Sequence, residues 1–153
     1  MNLVLAVALA AGLQAAAQPP SPPLAWTWTL YESEGPVVLA NEVTDTPALR
    51  ATLQCAPRSN VATVTLYDTD ARSAPETQPG FARLTSGAAS TTSAARIGRG
   101  GRLEVTLRTD HPLFAAFVGS GDMAIMTGDR TGAVKVERPH LAKLRRFADR
   151  CAG

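Results

Sequence analysis

Trp26, Trp28 and Leu30 alternate with Thr27, Thr29 and Tyr31, which is the period-two signature of a strand with one apolar face. Gly35 and Pro36 then turn the chain into a second alternation at Val37, Leu39, Asn41 and Val43. A third places Leu49, Ala51, Leu53 and Cys55 opposite Arg50, Thr52 and Gln54, and a fourth sets Ala62, Val64 and Leu66 against Thr63, Thr65 and Tyr67. Residues 81–85 and 103–107 continue in the same style, the latter with Leu103, Val105 and Leu107 inward. Between them, residues 86–96 are small and polar and suit either a loop or a weak edge strand. Asp110 is placed to cap a short helical turn over 112–118, Pro112 fits its first turn, and the glycines at 119 and 121 end it. Residues 123–127 and 132–137 form a last hairpin across 128–131.

The period changes after Pro139. Leu141, Leu144, Ala148 and Cys151 recur at helical spacing with Phe147 beside them, while Lys143, Arg145, Arg146, Asp149 and Arg150 lie opposite. The sum is a mainly β chain: a single antiparallel, sandwich-like domain over residues 24–153, with a short internal helix and a C-terminal helix.

Residues 1–17 do not fit that domain. Leu3, Val4, Leu5, Val7, Leu9 and Leu13 stand among alanines without a charged side chain, and Ala15, Ala16 and Ala17 supply a small-residue cleavage site. The run is short for a membrane span, and the Pro-rich linker 18–23 cannot continue a helix. The expectation is a cleaved export signal that leaves no stable membrane anchor, and a mature protein in the periplasm or secreted.

Export changes how the cysteines are read. Cys55 and Cys151 are the only two in the chain, and in an oxidising compartment a pair within one domain bonds by default. Both lie on apolar faces, so the expected disulfide pins the terminal helix onto the strand that ends at Cys55. Closing a loop of that size restricts the unfolded chain by about 4 to 5 kcal/mol as an upper figure. A redox or nucleophilic role would need an adjacent base or a close resolving cysteine, and neither is apparent.

Charge narrows the function classes. The net charge of +2 is small, and of the 15 basic residues only Lys135 and Lys143 are lysine, so nucleic-acid binding is not expected. Gly98-Arg99-Gly100-Gly101-Arg102 opens a strand at Leu103 rather than a helix, which favours a hairpin turn over a phosphate cradle. Ser120 lacks the glycine spacing of a nucleophile elbow. His111 and His140 stand beside prolines at helix starts, where capping or surface roles are usual. No spacing unites them as metal ligands. Asp45, Asp68 and Asp70 lack the glycine and downstream glutamate of a calcium loop and suit turns. Trp26 and Trp28 share parity with Leu30 and are expected to anchor sheet packing. No metal, cofactor or catalytic residue is therefore assigned.

The order of an exported leader, a Trp-bearing first strand, Leu53-Gln54-Cys55, the segment from His111 to Phe117 and a terminal helix from Leu144 to Cys151 resembles small periplasmic proteins of the type VI secretion accessory and invasion-associated-locus-B kinds. The chain departs from the accessory family at Ser33-Glu34-Gly35, where that family tends to carry an acidic pair and a serine. The resemblance implies an envelope-located β-rich module without catalytic residues. The expected function is contact with an unidentified protein partner, in secretion or envelope assembly, with Lys143, Arg145, Arg146 and Arg150 as its interaction surface. An envelope-polymer hydrolase or inhibitor would instead need a cleft joining His111 or His140 to Asp110, Asp122 or Ser120. A small-ligand carrier would need an apolar cavity between sheets.

Overall fold

The computed structural model describes residues 23–67, 80–128 and 130–153. The leader at 1–17, all but the last residue of the linker 18–23, and Asp68 and Asp70 lie outside the described residues. Within the described residues the strands are β1 (Trp26–Tyr31), β2 (Val37–Val43), β3 (Leu49–Cys55), β4 (Val61–Leu66), β5 (Gly80–Ser86), β6 (Ala89–Ile97), β7 (Leu103–Arg108), β8 (Asp122–Thr127) and β9 (Arg130–Lys135). Helix α1 (Pro112–Ser120) follows β7 and helix α2 (Leu141–Cys151) follows β9, with 3-10 turns at Arg99–Gly101 and Arg138–His140.

All nine strands belong to one antiparallel sheet in the order β1-β2-β3-β4-β7-β6-β5-β8-β9, curled into a half-barrel. This corrects the sandwich. Alternation tells which face of each strand is apolar but not which strand it pairs with. Here β4 bonds directly to β7, from Val61↔Arg108 to Leu66↔Leu103, so no gap divides the strands into two sheets. The accumulated twist of nine strands curls the apolar face inward, and helices fill the hollow. Helix α1 packs on β5 and β6, α2 packs on β1 and β2, and the two helices touch.

The core follows from the parities. Leu39, Leu53, Val64, Leu84, Val105 and Ile125 point inward from six strands and are fully buried. Leu113, Phe114 and Phe117 of α1 meet Leu144 and Phe147 of α2 in the same cluster. Burying one such side chain is worth roughly 1.5–3 kcal/mol, so the helices are integral to the core. The two edges of the sheet are bridged there. Trp28 is 1% exposed, its indole Nε1 donates to Lys135 O at 3.0 Å, and Lys143 Nζ donates to Trp28 O at 2.5 Å. A buried indole N–H needs such a partner.

Several boundaries differ from the sequence reading. The ambiguous segment 86–96 contains a strand, β6, lying between β5 and β7 in the interior of the sheet rather than at its edge. Its residues alternate between exposed positions at Ser90, Thr92 and Ala94 and covered ones, and α1 packs on this strand. Helix α1 runs to Ser120, and its cap is His111, whose Nδ1 accepts from the Leu113 N–H at 3.1 Å. Asp110 does not cap it, because Arg108 holds its carboxylate in a bidentate pair. Gly121 ends α1 at φ 80°, and a Cβ there would lie 2.2 Å from Val136 O. No other residue turns this corner without displacing β9. The last hairpin begins two residues earlier on its second strand than expected, since Val136 leads into the 3-10 turn at Arg138–His140. The glycine-rich segment before β7 is a turn, closed by Gly98 N–H donating to Arg102 O at 2.8 Å.

Candidate functional site

The residues that a hydrolase would use are divided between the two ends of α1 and the turn before α2. Asp110 and His111 stand before α1 and Ser120 and Asp122 at its far end, so the nine-residue helix sets them about 13 Å apart along its axis. Ser120 Oγ donates to Ala116 O at 2.9 Å and accepts from Asp122 N–H at 3.2 Å, while Ser86 Oγ donates to Asp122 O at 2.7 Å. These bonds finish a helix end. His140 belongs to a 3-10 turn, with its backbone N–H donating to Glu137 O at 2.8 Å. The best-formed cavities among the described residues are lined by other residues than His111, His140, Ser120 or Asp122. No group of three His, Cys, Asp or Glu among the described residues could hold a metal ion.

Three titrating groups among the described residues are displaced, a coupled Arg108–Asp110 pair and Tyr31, and all are on the surface. The hydrogen bond from Arg108 holds the Asp110 carboxyl below the usual carboxylate range, and the same contact raises the Arg108 guanidinium. Tyr31 donates to Glu42 Oε1 at 2.6 Å, and that hydrogen bond to a carboxylate raises the phenol above its usual value. None faces a cleft.

The basic residues of α2 are brought together, and most already have intramolecular work. Arg146 Nε lies 2.6 Å and Arg150 Nε 3.5 Å from the two carboxylate oxygens of Glu32, just after β1. Lys143 reaches the β1 carbonyl at Trp28. Arg145, on the neighbouring exposed position, makes no ion pair among the described residues. Exposed pairs of this kind contribute about 0–1 kcal/mol each. Their larger effect is to fix which cations α2 turns outward.

The C-terminal end of α2 is secured by three independent devices. Cys55 and Cys151 are bonded with Cα atoms 5.8 Å apart, across a sequence separation of 96. The loop between β3 and β4 then caps the helix: Arg58 N–H donates to Arg150 O and Asn60 N–H to Cys151 O, each at 3.0 Å. Arg58 and Asn60 take φ near 58° and 55° to present those N–H groups, a conformation asparagine tolerates and arginine does not favour. Finally, Asn60 Oδ1 accepts from Gly153 N–H at 2.8 Å and from Thr109 Oγ1 at 3.3 Å.

At the other end of the same strands lies a cavity of about 280 Å³ that the sequence did not reveal. Arg50 and Tyr67 stand side by side, with Tyr67 N–H donating to Arg50 O at 2.9 Å. Leu66 and Leu103 form the apolar floor, and Arg130, Thr131, Gly132 and Ala133 of β9 form the far wall. The Arg50 guanidinium lies 4.0 Å over the centre of the Trp26 ring. Trp26 is therefore half-buried under a cation, whereas Trp28 is the core anchor both were expected to be. Arg130 Nη2 donates to Gly101 O at 3.0 Å. A Cβ on Gly132 would come within 2.3 Å of Leu66 Cδ1, so a side chain at residue 132 would have to push the end of Leu66 aside. An isolated glycine inside a strand pattern is the one signal that marked the approach in advance.

A second, polar trough of about 560 Å³ crosses the outer face, between Thr52, Gln54, Thr63 and Thr65 on one side and the Arg96–Glu104 ion pair on the other. Its residues are the outward partners of the alternations already described, and the sheet's twist makes it concave. No family model, no curated protein and no solved structure matches the chain.

Proposed function

We propose that this is an exported, non-enzymatic module of the periplasm or the secreted fraction that acts through contact with a protein partner, in secretion or envelope assembly. The observation that carries this reading is the way α2 is presented. The helix is stapled by Cys55–Cys151, capped by the β3–β4 loop and clamped to β1 through Glu32 and Trp28 O. Such fixing pre-organises a cationic surface for an acidic partner, with less ordering cost on binding. The leader pattern, the disulfide and the resemblance in element order to envelope proteins support the compartment. The residues a hydrolase would need are committed to caps and turns, which favours binding over catalysis.

A photo-crosslinking residue at position 145 of the exported protein tests the reading in the cell. The expected result is one discrete adduct, lost when Glu32 is kept and Lys143, Arg146 and Arg150 are all changed to glutamine. Recovery of uncrosslinked monomer alone, or of the full-length precursor in the cytoplasm, defeats it.

A further inference from the structure

We propose that the mouth of the half-barrel, the cavity between Arg50 and β9, binds a small amphipathic carboxylate. The walls dictate the two halves of such a ligand. Leu66, Leu103 and Ala133 offer apolar surface, while Arg50, Tyr67 and Thr131 bring polar groups. A pocket of apolar wall with a few convergent polar groups is the usual form of a small-ligand site, and barrel mouths are a usual place for one. At about 280 Å³ the space takes roughly nine water-sized groups, which suits a short acyl or aryl acid lying in an open depression.

Arg50 specifies the charge. Among the described residues it forms no ion pair, in contrast to Arg96, Arg108, Arg146 and Arg150, each of which has a carboxylate partner. Its contact is with the face of Trp26. The N–H donors of a guanidinium lie in its own plane, so a cation resting on a ring keeps its edge for a carboxylate, to which it can give two parallel hydrogen bonds. The ring also limits the freedom that Arg50 would lose on binding. Gly132 supplies the other half of the geometry, since any side chain there would displace Leu66 from the floor. This proposal is independent of the partner surface on α2. That surface lies against β1 and β2, and failure of either leaves the other intact.

Octanoate is a probe of the right size, and octanamide is its uncharged counterpart. Titrated into the isotope-labelled full mature chain, octanoate is expected to shift the backbone amides of Leu66, Leu103 and Gly132 saturably, and octanamide at least tenfold more weakly. Arg50→Gln removes the cation from an exposed strand position and should weaken octanoate about tenfold, in line with a charge-assisted bond. Gly132→Leu places its side chain over Leu66 on the floor of the cavity and should abolish the shifts, while the spectrum elsewhere stays native. Equal binding of acid and amide overturns the proposal. So does unchanged octanoate binding in Arg50→Gln, or saturable shifts centred instead on the exposed Phe81 and Met126. Absence of any saturable shift overturns it as well.

Discussion

Strands β3, β4 and β7 run between two very different ends. Where β3 finishes at Cys55, a disulfide, two backbone caps from the β3–β4 loop and the Asn60 side chain converge on the last turn of α2. Where β3 begins, Arg50 and Leu66 face β9 across open space, and the missing side chain of Gly132 leaves room for the end of Leu66. Both ends are cut from the same alternating strands. What distinguishes them is what covers the inward face: at one end a helix terminus locked in place, at the other a strand that only leans over. Rigidity at one end lets the other remain unfilled, since the core between them is already complete.

The comparison breaks most severely at the staple. Replacing both Cys55 and Cys151 with serine should lower the unfolding free energy by about 4 kcal/mol, measured by urea denaturation under oxidising conditions. Arg50→Gln should move the same midpoint by less than about 1 kcal/mol, because an exposed cation–π contact is all it loses. If the two variants cost the same, the ends are not different in kind.

Asn60→Ala comes next, at about 2 kcal/mol. It strands the Gly153 N–H and the Thr109 hydroxyl and puts alanine at φ 55°. Asn60→Gly should recover only the backbone share, so the difference between the two isolates the left-handed strain, and what Asn60→Gly still costs is the side-chain bonds. At the open end, Gly132→Ala should cost about 1 kcal/mol, since its Cβ meets the movable end of Leu66. It should still reduce octanoate binding, a split between stability and binding that no closed-end variant shows.

The smallest effect is a titration. Asp110, at the closed end, is held below the usual carboxylate range by Arg108. A carboxyl depressed in the folded state contributes stability that is present above its unfolded pKa of about 3.9 and is lost as pH falls through the lowered folded value. Carbon-detected NMR should place the Asp110 transition below that of a free aspartate, and Arg108→Gln should return it to the ordinary range.

Much of this contrast was legible in the chain, but unevenly. The closed end rests on covalent chemistry and parity: Cys55 on an alternating strand and Cys151 on a helical stripe must both point inward, whatever the sheet does. The curl was not legible, because the pairing of β4 with β7 is a choice among partners that share the same pattern. For the same reason β6 was left between strand and loop. Its alanines and serines are weak strand formers and its two threonines lack bulky apolar neighbours at alternate positions, while the packing of α1 on β6 appears only in three dimensions. At the open end Arg50 of β3, Tyr67 just after β4 and Gly132 of β9 are far apart in the chain, and nothing in their local pattern joins them. The helical spacing marks Lys143, Arg145, Arg146 and Arg150 as one surface, but Glu32 as the anchor of Arg146 and Arg150 is hidden by its distance along the chain.

Trp28 has a consequence for how the chain assembles. Its two bonds join residues 107 and 115 positions apart, to Lys135 O and from Lys143 Nζ. Contacts of such long range form slowly, because loop closure must precede any gain from them. Until α2 brings Lys143 to the Trp28 carbonyl, the edge of β1 is more open to a neighbouring chain than in the finished molecule. Refolding yield should therefore fall with protein concentration while the unfolding free energy of the finished molecule does not, a kinetic hazard written into its first strand.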